Sequence, residues 1–79
     1  MELLLFGITK DIIGTNRLLV PVSENITDIA ALKSWLSVQY PALKNLRSLA
    51  IAVNREYVGD NQSLTGTEEI ALIPPVSGG

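Results

Sequence analysis

Two continuous apolar runs, Leu3-Leu4-Leu5-Phe6 and Ile70-Ala71-Leu72-Ile73, stand near opposite ends of the sequence. Neither alternates with polar residues, so neither reads as a strand with one wet face. Short runs of this kind suit strands covered on both sides, as in the middle of a parallel pairing. A parallel pairing needs a crossover between its strands, and the chain between these runs contains one strong helix pattern. Ile29, Leu32, Leu36 and Tyr40 recur at three- and four-residue spacing with Trp35 beside them, which places one apolar stripe on a helix. Asn25 is the expected N-cap, with Asp28 then in the first turn where a negative charge suits the dipole; Thr27 is the alternative cap. Pro41 ends the helix at Tyr40, because the residue before a proline avoids helical geometry.

The remaining elements are shorter. Gly7 to Asn16 is mixed, and Gly14-Thr15-Asn16 reads as a turn. Arg17 to Val22 reads as a second strand, placed at an edge or terminated by Pro21, which cannot donate a ladder hydrogen bond. Leu49 to Val53 reads as a third strand, Asn54-Arg55-Glu56 as a turn, Tyr57-Val58 as a short return and Glu69 to Ile73 as the last strand. A hairpin, a crossover helix and a last strand parallel to the first make an α+β, ubiquitin-like β-grasp fold. Its mixed sheet has four or five strands, with one main helix on one face. The expected division is a β-grasp domain over 1–73 and an extended tail over 74–79. Strand parity then sorts the first run: if Leu3 and Leu5 face the helix, Leu4 and Phe6 lie on the uncovered side, where an apolar patch is an expected docking surface.

Composition narrows the chemistry. The 79 residues carry a formal net charge of −2, and the six Lys and Arg residues are scattered, which argues against a nucleic-acid partner. With no cysteine there is neither a disulfide nor a thiolate nucleophile, and with no histidine the side chain best suited to proton transfer near neutral pH is missing. No metal site and no bound cofactor are expected, and an enzyme acting on its own is disfavoured. The early apolar run is too short for a signal-peptide core or a membrane span and follows Glu2 rather than a basic segment, so a cytoplasmic protein is expected.

Several local patterns have plain structural readings. Asn25-Ile26-Thr27 and Asn61-Gln62-Ser63 match the glycosylation acceptor pattern, but read as a helix cap and a turn. Glu68 and Glu69 are adjacent on a strand and so project to opposite faces, which makes them a solvated turn and not an acid–base pair. Gly7 and Lys10 lack the spacing of a phosphate loop, and Trp35 and Tyr40 belong with the core.

The tail is different. Pro74 and Pro75 remove two backbone donors, so the last strand cannot continue through them and the chain leaves the sheet stiff and extended. Val76 and Ser77 follow, and then Gly78 and Gly79 present no side chain at all. A terminal glycine pair arises by chance in roughly 0.5% of chains. Such an end is slender enough to enter a narrow channel in another protein, with the Gly79 carboxylate as its one reactive group. A carboxylate with a pKa of about 3.5 is ionised at neutral pH and is a poor electrophile, so acyl chemistry there requires activation by a partner.

These residues resemble the small, sulfur-carrier subunit of molybdopterin synthase along nearly the whole chain. "LFGITKDIIG" is similar to that family's opening strand and loop, "NITDIAALKSWL" to its helix start and "AVNREYV" to its Val-Asn turn. "LTGTEEIALIPPVSGG" is similar to its closing strand and Pro-Pro-x-x-Gly-Gly terminus. One departure is visible: the family commonly has Asp-Gly-Asp-Glu where this chain has Gly66-Thr67-Glu68-Glu69. The resemblance implies that Gly79 is adenylated by a separate ubiquitin-activating-like adenylyltransferase using ATP and is converted to a thiocarboxylate. It implies that Pro74, Pro75, Val76, Ser77 and Gly78 thread into a catalytic large subunit, within a heterotetramer, to deliver sulfur to a cyclic pterin precursor. It implies that Phe6, Tyr57 and Ile73 dock that partner. Rival readings keep the carrier but change its client to thiamine synthesis or tRNA thiolation. Others make the chain a ubiquitin-like protein modifier, or an interaction domain with an idle tail.

Overall fold

The computed structural model describes residues 1–45 and 49–74. Strands β1 (Glu2–Leu5), β2 (Arg17–Leu19), β3 (Ala50–Val53), β4 (Glu56–Val58) and β5 (Glu69–Ile73) form one sheet in the order β2-β1-β5-β3-β4. β1 and β5 run parallel with Leu3 opposite Ile70 and Leu5 opposite Leu72, while the other three pairings are antiparallel. This is the expected β-grasp arrangement. Both apolar runs lie inside the sheet, with β5 at its centre.

Helix α1 (Gly7–Ile13) follows β1, and helix α2 (Ile29–Gln39) crosses one face of the sheet. Ile29, Leu32 and Leu36 of α2 pack into one cluster with Leu3, Leu5, Ile51, Ile70 and Leu72, each at most 2% exposed. Burying each such aliphatic side chain contributes about 1.5–3 kcal/mol. Trp35 and Tyr40 are partly buried against this cluster, and α2 ends at Tyr40 as Pro41 dictates.

Three local expectations are corrected. First, the mixed segment after β1 contains α1, a helix whose Ile12 and Ile13 pack partly against the core cluster. It closes on Gly14, whose φ of 90° lets its N–H reach the Lys10 carbonyl. Second, the cap of α2 is neither Asn25 nor Thr27 but Asp28, whose Oδ1 accepts from the Ala31 N–H at 2.8 Å. The loop after β4 enforces this start: the carbonyls of Gln62 and Asp60 accept the N–H groups of Ile29 and Ala30, and Asp60 also holds Lys33 at 2.7 Å. Asn25 instead ends a short 3-10 turn, Val22–Glu24, in left-handed geometry. Third, β2 stops at Leu19 and not at Val22. Val20 still exchanges backbone bonds with Met1, but Pro21 breaks the ladder and Val22 turns out to solvent at 87% exposure.

Candidate functional site

Alternation along the strands leaves a second, uncovered face. One row of it crosses all five strands: Arg17, Leu4, Ala71, Ala52 and Tyr57 stand in register from β2 to β4. Ala71 and Ala52 are directly opposed, and their small side chains leave a floor between larger neighbours. The result is an open hollow of about 270 Å³ walled by Leu4, Phe6, Tyr57 and Ile73, with Arg55 and Glu69 at its rim. Phe6 is 49% exposed and Tyr57 73%, unusual for aromatic side chains beside other apolar groups, while Ile73 is half-buried. Of the residues singled out in the sequence, Phe6, Tyr57 and Ile73 are therefore brought to one surface.

Each wall of the hollow is held by backbone chemistry that sequence reasoning missed. The Thr9 side chain is fully buried, and its Oγ1 accepts from the Phe6 N–H at 3.1 Å while donating to the Phe6 carbonyl at 2.6 Å. That pair fixes the backbone from which Phe6 projects. On the other side, Asn54 and Arg55 form the β3–β4 turn with φ of 51° and 71°, the left-handed pair that a two-residue hairpin requires. Asn54 is stitched to Glu69 twice: its N–H donates to the Glu69 carbonyl at 2.8 Å, and its Oδ1 accepts the Glu69 N–H at 3.0 Å. The turn thus presents Arg55, which lies 3.8 Å from the Glu69 carboxylate, and starts the strand that carries Tyr57. An Asn in a predicted turn was the one available signal.

Glu68 and Glu69 separate as expected. Glu69 faces Arg55, whereas Glu68 accepts the Thr65 and Gly66 N–H groups at 2.8 and 2.9 Å. The Thr65 N–H, helped by the Gly66 N–H, holds the Glu68 carboxyl below its ordinary range. Gly66, at φ 100°, supplies the left-handed turn where the family pattern differs. Among the described residues, no group of three or more His, Cys, Asp and Glu is placed to hold a metal, and no helix is long and apolar enough to cross a membrane.

Pro74 follows β5 directly and is half-buried; Pro75, Val76, Ser77, Gly78 and Gly79 lie outside the described residues. The strand that contributes Ile73 to the hollow is therefore the strand that leads into the tail. Compared with known proteins, residues 3–79 match the ThiS family. The chain belongs to the ThiS family. This ThiS-family chain is 36% identical to the molybdopterin synthase sulfur carrier subunit of Homo sapiens, over 100% of its own length and 93% of that protein's. It is 31% identical to the subunit of the same name from Arabidopsis thaliana, over 100% of its own length and 82% of the other's. Its fold is also that of the small archaeal modifier protein 1 of Methanosarcina acetivorans, with a TM-score of 0.77, 26% identity and coverage of 99% and 94%.

Proposed function

We propose that this chain is the sulfur-carrier subunit of a molybdopterin synthase, acting in the cytoplasm as a non-catalytic partner of a large catalytic subunit in a heterotetramer. The observation that carries the proposal is the apolar hollow of Leu4, Phe6, Tyr57 and Ile73, the last of them at the end of the strand that feeds the tail. Docking through that face brings the root of the tail to the partner.

The chemistry belongs to Gly79. An adenylyltransferase of the ubiquitin-activating type supplies ATP; the Gly79 carboxylate attacks the α-phosphorus and pyrophosphate leaves. A sulfide-level donor then attacks the acyl carbon and expels AMP, leaving a thiocarboxylate. Inside the large subunit, that sulfur is transferred to a cyclic pterin precursor, and two rounds complete a dithiolene. The chain itself binds no cofactor in this scheme: ATP is the activating partner's, and the acid–base groups are the large subunit's. The absence of Cys and His is consistent with that division.

Intact mass after incubation with the activating enzyme, ATP and a sulfide donor tests this reading. Replacement of one oxygen by sulfur at Gly79 is the expected result, and an unchanged mass contradicts it. A second reading, a protein modifier joined to lysines, is favoured by the likeness to the archaeal modifier protein. It predicts lysine-linked adducts of higher mass in a lysate. Binding to a pterin-converting subunit, compared with a thiazole synthase, separates the molybdopterin pathway from other clients of the same sulfur.

A further inference from the structure

The parallel register of β1 and β5 ends with Leu5 opposite Leu72, and just beyond it Phe6 and Ile73 share the hollow and Gly7 lies against Pro74. Beyond the sheet the first segment enters α1, and the second reaches Pro74. At that point Gly7 has a φ of +55°, and a Cβ built on it meets Pro74 Cγ at 3.0 Å. Carbon atoms in good contact are about 3.5–4.0 Å apart. A side chain at position 7 must therefore press on the Pro74 ring, which is fused to the backbone and can answer only by a change of ring pucker or by a shift of the chain itself.

Position 7 is also unable to retreat. Phe6, its neighbour, is held at both N–H and C=O by the buried Thr9 hydroxyl, and the Thr9 N–H donates to the same Phe6 carbonyl at 3.2 Å. The start of α1 is thus held by three hydrogen bonds to Phe6, so the contact is relieved at the Pro74 side. Five residues follow Pro74, with a maximal reach of about 17 Å, so a small change of direction at Pro74 is enlarged at Gly79.

We propose that Gly7 is a positioning residue for the tail: its bare Cα seats the Pro74 ring and so sets the direction in which the chain leaves β5. The inference rests on the sulfur-carrier reading for its functional consequence, though not for its geometry. Gly7 lies off the docking hollow, so the proposal separates two jobs. The open face governs whether a partner binds, and Gly7 governs whether the bound carrier's end reaches the partner's reaction centre.

A double-mutant cycle in the full chain tests this, with Gly7→Ala, Pro74→Ala and both together as substrates of the activating enzyme. In the Pro74→Ala background the backbone strain of an alanine at positive φ persists, but the obstructing Cγ is gone. A misplacement of 1 Å can cost on the order of 10²-fold in rate, so a shift of a few tenths of an ångström gives about a tenfold fall in kcat for Gly7→Ala, with KM within about twofold. In the Pro74→Ala background the same substitution lowers kcat by no more than about twofold. Partial unfolding acts differently: it lowers the concentration of usable carrier, so it raises the apparent KM and leaves kcat alone. A change confined to KM, no change at all, or an equal kcat loss in both backgrounds overturns the proposal. Residual dipolar couplings of the amides of Val76 to Gly79 supply a readout independent of activity. They change between wild type and Gly7→Ala if the proposal holds, and coincide if it fails. Should the wild-type chain acquire no sulfur, the carrier reading falls, and the couplings alone decide the role of Gly7.

Discussion

Along β1 and β5, residues that are neighbours in the chain live in opposite circumstances. Leu3, Leu5, Ile70 and Leu72 are at most 2% exposed beneath α2, whereas Phe6 and, across the sheet, Tyr57 are 49% and 73% exposed on the other side. All of them lie on or beside one sheet, and what separates the two faces is what lies opposite each. The covered face draws aliphatic residues from three strands and a helix into one cluster, and its residues are tied to folding. The open face keeps comparably apolar side chains around an alanine floor, with no other element packed over them among the described residues. Phe6 and Tyr57, the most exposed of its apolar residues, bury the least of their surface on folding.

The largest effect expected from this contrast is on the covered side. Leu32→Ala removes a fully buried side chain and costs about 2–5 kcal/mol by urea denaturation. Tyr57→Ala stays within about 0.5 kcal/mol in the same measurement. Equal losses for the two substitutions would break the comparison. Next in size is the open side's own loss, read as binding. Tyr57→Ala weakens association with the large subunit by about 2 kcal/mol, roughly 30-fold in Kd by calorimetry. Ala71→Leu fills the floor of the hollow and weakens it similarly while the fold persists, which would show that shape is being recognised and not only apolar area.

The smallest effect concerns neither face but the loop before β5. The carboxyl of Glu68 is held below its ordinary range by backbone N–H donors, so its contribution is complete above the unfolded carboxylate pKa and is lost as pH falls through the lower folded value. Glu68→Gln therefore lowers Tm by no more than about 2 °C at neutral pH, because the group is exposed and screened, and the gap from wild type narrows on acidification. A gap that widens in acid contradicts this assignment.

How much of this was legible depended on periodicity. The runs at Leu3 and Ile70 and the stripe from Ile29 to Tyr40 announced strands, helix and the parallel pairing, although both runs are covered by the helix on one face only, with Leu4 and Ala71 on the open side. Strand parity even placed Phe6. Helix α1 left a fainter trace: Ile12 and Ile13 pack only partly against the core, Thr9 alone of its seven residues is buried, and its ends are set by the Thr9 hydroxyl and Gly14. The cap at Asp28 was hidden for a related reason. Asn25 and Asp28 are both good caps, and the choice is made by Asp60 and Gln62, distant in sequence. The hollow likewise depends on Ala52 meeting Ala71 across two strands, a pairing that exists only once register is set. The seat at Gly7 is legible only when Pro74 lies against it.

The central claim is that the domain is a carrier whose reagent is the acid group of Gly79. Intact-mass analysis of a variant extended by one residue beyond Gly79, after incubation with the activating enzyme, ATP and a sulfide donor, tests it most directly. The account predicts that the wild-type chain exchanges one oxygen for sulfur, while the extended chain folds, binds the large subunit and gains no sulfur. An extended chain that acquires sulfur with its extra residue still attached would contradict it.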